Sequence, residues 1–421
     1  MTAGRALLDD CFLHDKDRLR HHEVEALLRD RLHGICDTET VPLAALSGRI
    51  LARDLTARVS VPPRDNAAVD GYAFANAAYL ECGGRLAIAQ RIQAGSVSGD
   101  ALESGTAARI FTGAFLPDGA DTVAMQEDCV VEGDMVVVPE GLKPGANRRL
   151  AGEDMMTGDG FATAGTRLDT ADVAAIAAQG IASADCYKPL RIAVFSTGDE
   201  LLEPGEEPRP GRIFDSNRAM LFALVDRWPG VAIDCGRLPD EAGAVRAALE
   251  AAARDHDVIV TTGGAGRGEA DHIVMTLEEI GKRHLWQLAI KPGRPLTVGQ
   301  IGPTPLFGLP GNPVAVFVCA LLYLRPALHL LSGGQWPEAA GYMIPSATPI
   351  RKKPDRREFL RGTLVREAGV VVGVEKYKRD GSGLISGLRA ADGLIELAED
   401  ITEIGEGDPV LFRPFASYGL D

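Results

Sequence analysis

The sequence lacks most of the patterns that advertise a chemistry. Its seven cysteines (11, 36, 82, 129, 186, 235 and 319) are odd in number, scattered, and never spaced as Cys-x-x-Cys. That excludes a paired-cysteine zinc site or a disulfide framework and reads as reduced thiols in a cytoplasmic protein. The eight histidines have no ligand spacing, and neither His-Glu-x-x-His nor a Ser/His/Asp pattern occurs. Positive charge is in deficit: 44 Lys and Arg against 59 Asp and Glu leave a formal net charge of −15. A phosphate backbone would be repelled overall, so no nucleic-acid partner is expected. Residues Met1 to Asp10 hold no basic-then-apolar run, so no secretory signal is expected. The longest apolar stretch, Val314 to Leu324, stops at Arg325-Pro326 and falls short of the ~20 residues of a membrane span. There is no short-period repeat.

What the chain does have is apolar residues, 46% of 421, enough for packed cores and about three domains at ~150 residues each. Val24, Leu27, Leu28 and Leu32 lie on one face of a helix over 22–33, and Asp172 to Gln179 reads as another helix. Between them, 61–149 is rich in Gly and Pro with short β-like runs, which reads as an inserted β-rich domain. Similar runs after about 338, such as Val370-Val371-Val372 and Val410-Leu411-Phe412, suggest a small antiparallel domain.

Residues 189–331 are the clearest. Ile192–Phe195, Val231–Ile233, Val258–Val260 and Leu306–Leu309 are strand-length apolar runs alternating with helical patterns, one of them capped by Asp215 or Ser216. This alternation predicts a doubly wound, mostly parallel α/β sheet, whose ligands bind beyond the strand carboxyl ends. Three turns there stand out: Ser196-Thr197-Gly198-Asp199-Glu200, the loop Thr262-Gly263-Gly264-Ala265-Gly266-Arg267-Gly268-Glu269-Ala270-Asp271, and Leu309-Pro310-Gly311-Asn312-Pro313. In the third, Asn312 reads as N-cap and Pro313 as the first helical residue. Glycine lets backbone N–H groups approach a ligand, and helix N-termini favour anions, so these turns form a candidate phosphate cradle. The plainer alternative is that tight turns need Gly anyway. The second loop is neither a P-loop nor a dinucleotide fingerprint, which weakens ATPase and dehydrogenase readings.

Acids occupy the same turns: Asp199, Glu200 and Asp271, with Asp240 after the Val231 run. Beside a phosphate they need a cation, and Mg²⁺, bound by one or two carboxylates plus substrate oxygens, suits them; Asp240 reads equally well as a helix cap. Lys291 and Arg294 add positive charge on a Pro/Gly turn. Arg351 to Arg379 holds ten Lys/Arg and four Asp/Glu, first read as a solvated face and second as a phosphate or RNA contact.

In order along the chain, Asp65-Asn66-Ala67-Ala68-Val69-Asp70-Gly71-Tyr72-Ala73, Thr112 to Asp121, Arg149 to Asp154, Ser196 to Leu201, Thr262 to Asp271, Lys291-Pro292-Gly293-Arg294-Pro295 and Gly308 to Pro313 resemble the molybdopterin molybdenumtransferase family, which includes the E-domain of gephyrin. The resemblance implies a split α+β N-terminal domain (18–60 and 150–187), an inserted β-rich domain (61–149), a molybdopterin-binding α/β domain (188–331) and a C-terminal β-barrel (338–421). It implies a homodimer with its site between subunits. The implied reaction inserts molybdate into adenylylated molybdopterin, with Mg²⁺-dependent adenylate hydrolysis and release of AMP, downstream of a molybdopterin adenylyltransferase. Carried over as catalytic are Asp65, Glu200, Asp240, Asp271 and Lys291, with Glu200, Asp240 and Asp271 as metal ligands. Thr112, Asp154, Thr197, Gly198, Gly263, Gly264, Gly266, Pro310, Gly311, Asn312, Pro313 and Ser382 are assigned to substrate binding, with Ser386 as the alternative to Ser382. Gln287 stands where the family often has a second Lys, which removes a cation near the oxyanion; Arg64, Ala67, Val69, Gly266 and Arg267 also depart from the pattern. The rival readings are a catalytically weak paralogue that binds molybdopterin or acts as a scaffold, and a nucleotide pyrophosphatase on the same Gly-loop domain.

Overall fold

The four apolar runs become parallel strands, Arg191–Thr197, Val231–Leu238, Val258–Thr262 and Thr304–Leu309, but the sheet they build is mixed. Pro295–Ile301 and Lys282–Gln287 extend it antiparallel, giving the order 231–238, 191–197, 258–262, 304–309, 295–301, 282–287. These two strands hide in the sequence because Lys282-Arg283-His284 and Thr297, Gly299 and Gln300 break any apolar run. The computed structural model describes residues 18–96, 100–263 and 272–420, so Asp271, Gly264, Gly266 and Arg267 lie outside the described residues.

Strand alternation sorts the core onto two faces. Ile192, Val194, Val258, Val260, Phe307 and Leu309 pack against Leu221, Leu224 and Trp228 and the long helical run after Pro313. Ala193, Phe195, Ile259 and Leu306 pack on the other face against Val245, Leu249, Ile273 and Leu277. Each such aliphatic side chain removed from water contributes about 1.5–3 kcal/mol, which fixes where the strand ends lie.

That helical run does not stop at Arg325-Pro326 as the sequence suggested. Pro313–Cys319 passes through a π-helical stretch, Ala320–Leu324, into Arg325–Leu331. Pro326 falls in the first turn after the widened stretch, where its missing N–H is tolerated. The whole span is long and apolar enough to cross a membrane by composition, yet 94% of it is buried inside the protein, as in a core helix.

Elsewhere, Thr38–Pro42 pairs with Ser183–Tyr187 and Leu55–Thr56 with Gly160–Ala162, over a core that includes Val41, Leu51, Leu168 and Ile176. Between these segments lies a six-stranded sheet with Thr122–Met125 and Val130–Glu132 as its edge strands. The C-terminal strands Arg357–Glu367, Val370–Lys376, Gly393–Leu397, Pro409–Pro414 and Tyr342–Pro345 form a half-barrel where a closed barrel was expected. Among the described residues its open sides meet through a bridge of Ser346 with Val374, where Ala347 N–H donates to the Val374 carbonyl (2.9 Å). One further strand joins it from the α/β unit: Ile290–Lys291 runs parallel to Arg357–Glu367, with Lys291 opposite Glu358.

Candidate active site

All the parallel strands end at one sheet edge, and the turns beyond them converge there. Gly263 N–H donates to the carbonyls of Leu309 (3.1 Å) and Pro310 (3.4 Å), which joins the second and third glycine turns. Glycine is required at 263: φ is 81°, and a Cβ there would lie 2.5 Å from Thr197 Oγ1. Asn217 donates to the carbonyl of Gly311 (2.7 Å). Gly198, Glu200 and Asp240 sit on neighbouring strand ends, linked by a hydrogen bond from the Arg237 guanidinium to the Leu201 carbonyl. Glu200 and Asp240 are exposed, and neither carboxylate has a partner among the described residues. Asp240 is not the helix cap: Glu241 holds that position, without a side-chain bond.

Beside these turns is a cavity of about 300 Å³ between the α/β unit and the half-barrel. Lys291, Arg294, Pro310, Gly311, Asn312 and Ser382, distant in sequence, line it together. Asn312 is the N-cap residue, but its side chain makes no capping bond. Instead the carbonyl of Ser382 accepts from Val314 N–H (2.9 Å), so the half-barrel caps a helix of the other unit. Ser386 does not line the cavity; its hydroxyl meets Tyr377 (3.2 Å).

The half-barrel supplies cations that the sequence reading did not single out. Arg361 is 6% exposed and donates to the carbonyls of Leu384 (3.1 Å) and Arg379 (2.6 Å), pinning the loop that carries Ser382. Lys376 pairs with Asp380, and both line the same wall. That hydrogen bond holds the Asp380 carboxyl below the usual carboxylate range, against a smaller effect of burial and with help from the nearby charges of Lys376, Lys291 and Arg361. Lys291 Nζ lies 3.5 Å from Glu358, a buried carboxylate whose other oxygen takes Arg356 (2.8 Å). The available signal was the excess of positive charge over Arg351 to Arg379, from which both Arg361 and Lys376 come. Gln287 ends its strand opposite Pro295 and is not on the cavity wall.

Asp65, Thr112 and Asp154 gather elsewhere. Pairings of Asn66 with Arg149 and Phe115, and of Val61 with Met155, bring them to one rim. Asp65 accepts from Ala151 N–H (2.7 Å) and lies 3.5 Å from Arg148. Thr112 donates to Asp70 from its backbone (2.8 Å) and hydroxyl (2.7 Å), bonds that hold the Asp70 carboxyl below its ordinary range. None of these residues lines the cavity. Among the described residues no group of three or more His, Cys, Asp or Glu is arranged to hold a metal ion.

Three family models match the chain in order: the MoeA N-terminal region (domain I and II) over 19–180, a probable molybdopterin binding domain over 193–330, and the MoeA C-terminal region (domain IV) over 344–415. The molybdopterin molybdenumtransferase of Haemophilus influenzae is 34% identical over 90% of this chain and 94% of the relative. That of a Nostoc species is 33% identical over 89% and 88%. Among solved structures, the molybdopterin biosynthesis moeA protein of Pyrococcus horikoshii is similar with a TM-score of 0.80 and 30% identity, covering 94% of this chain and all of that one.

Proposed function

The chain belongs to the molybdopterin molybdenumtransferase family and is a transferase of molybdenum cofactor biosynthesis, and from that premise we propose that it inserts molybdate into adenylylated molybdopterin where the cavity meets the glycine turns. The observation that carries this reading is the cavity wall. Lys291, Arg294, Arg361 and Lys376 surround a space suited to a small tetrahedral oxyanion, directly beside backbone N–H groups suited to phosphates. Arg361 keeps its charge despite burial and offers a planar fork of donors, whereas the lysines act as point charges. Their roles are to strip water from the oxyanion and hold it against the pterin. The turns at Thr197–Gly198 and Pro310–Pro313 hold the pterin phosphate and the phosphoanhydride, while Gly263, whose N–H is spent on the Leu309 and Pro310 carbonyls, ties the turns together.

Mg²⁺ fits this donor set: Glu200 and Asp240 are exposed hard oxygen donors with no partner among the described residues, and Asp271 is the third candidate ligand. When bound it supplies charge neutralisation to the phosphoanhydride. Too few ligands for a closed cage is the arrangement expected of an ion completed by substrate oxygens. The adenylate must come from an adenylyltransferase acting upstream.

Asp65, Thr112 and Asp154 then serve the cavity of a second copy. Their distance from the cavity in one chain supports this, as does the exposed apolar pair Ile213 and Phe214 on the ribbon that abuts Glu200. The domain boundaries given above follow the same reading.

The test is AMP release from adenylylated molybdopterin with Mg²⁺, with and without molybdate. Release should require molybdate and fall about a hundredfold or more in Lys291→Ala, the scale of losing one preorganised charge. Molybdate-independent release would support a pyrophosphatase, and no release a scaffold.

A further inference from the structure

The cavity that we read as an oxyanion site contains an anion of its own. Asp380 lies on its wall, in the loop Arg379–Leu384 that Arg361 pins at both ends. Its carboxylate pairs with Lys376 and feels the charges of Lys291 and Arg361, so three of the four cations lining the space among the described residues act on it. Arg294, the fourth, is exposed and has no counter-charge among the described residues. A surface ion pair is the ordinary explanation of Lys376 and Asp380, which are four residues apart at the end of a strand. It does not account for the position: the half-exposed carboxylate stands inside a concave cationic wall, where it occupies a place a bound oxyanion would use or repels it from alongside.

We propose that Asp380 is a specificity-determining residue, a built-in counter-anion that neutralises Lys376 in the free protein and sets how tightly the cavity takes an oxyanion. Glu358 does not duplicate this role. It is buried behind Lys291 and shared with Arg356, outside the cavity wall. The inference rests on the reading of the cavity as the molybdate site.

Charge arithmetic gives the sign. Removing Asp380 while leaving Lys376 adds one net positive charge next to the anion; removing Lys376 while leaving Asp380 strands a negative charge there. Asp380→Asn should therefore tighten molybdate binding roughly tenfold, and Lys376→Met should weaken it by at least as much. Lys376→Met combined with Asp380→Asn should return close to the unmodified protein, because the pair is removed together. The measurement is calorimetric titration of each purified full-length protein with molybdate, at two ionic strengths, alongside KM and kcat for both substrates. KM for molybdate should follow the binding constants while KM for adenylylated molybdopterin stays constant. The tightening should shrink at high salt.

A merely structural Asp380 would give variants that all weaken binding, or all leave it unchanged, with melting temperature following the loss; either result overturns the proposal. If no protein in the series, including the unmodified chain, binds molybdate, the assignment of the cavity falls and this inference falls with it. If Lys376→Met weakens binding but Asp380→Asn does not tighten it, the cavity stands and the counter-anion is refuted.

Discussion

At the scale of single residues, the cavity tells neighbouring polar side chains apart by where they face. Gln287, which on the resemblance costs the site a cation, is off the wall, while Lys291 is on it. Gln287→Lys should leave molybdate half-saturation within about twofold, since an added charge at a distance is screened by solvent, whereas Lys291→Ala should raise it steeply. A molybdate titration of both variants decides this, and a large gain from Gln287→Lys would return that position to the site. Lys291, Pro310, Gly311 and Asn312 were legible because turn chemistry and motif order mark them; Ser382 came from the family resemblance alone, with Ser386 as the alternative. Arg361 and Lys376 were not. Along a strand, charge alone does not say which side chains face inward, and a run of ten cations looks like solvated surface until Arg361 is seen to be buried and tied to two carbonyls.

Among elements, the helical run from Pro313 to Leu331 stands out for the ionisable groups it carries into the core. Arg325 is 8% exposed, and its guanidinium donates to the carbonyl of Pro337 (3.0 Å). Burial, then the charges of Arg325 and Arg167, push the His329 imidazole from its ordinary 6.5 down to about 3. Burial likewise pushes His21, hydrogen-bonded to Tyr323 (2.9 Å), down to about 4. In both cases the folded protein holds the neutral ring, while the unfolded chain takes up a proton once the pH drops below 6.5. Stability is therefore unaffected by these groups above that value and falls as the pH is lowered from 6.5 towards the folded values. Melting temperatures across this acid range should decline, and His329→Gln should flatten the decline; an unchanged slope would mean His329 is protonated in the fold. The apolar part of this helix was readable from sequence, as were the inner parallel strands Arg191–Thr197, Val258–Thr262 and Thr304–Leu309, because buried elements are continuous hydrophobic runs; the exposed edge strand Val231–Leu238 showed only a short apolar start. Its continuation past Pro326 was not, since it depends on a π-helical stretch and on backbone acceptors from distant segments.

For the molecule as a whole, the prediction concerns division of labour between copies. Mixed dimers of Asp65→Ala and Glu200→Ala chains, each inactive alone, should regain activity because one of the two sites is assembled from intact partners. No recovery despite demonstrated mixing would mean that the rim and the cavity do not cooperate across subunits. A last consequence follows from the short strand Ile290–Lys291, which leaves one unit to hydrogen-bond beside Arg357 and Glu358 of another. Modules joined only by linkers can be exchanged between relatives like cartridges. Here the seam runs through Lys291, on the cavity wall, and Arg357 N–H reaches back to the carbonyl of Ala289 (3.0 Å). A chimera that grafts a foreign C-terminal module would inherit an unmatched strand on one side of the join, so recombination among these enzymes should succeed only where the 289–295 turn and the strand Arg357–Glu367 travel together.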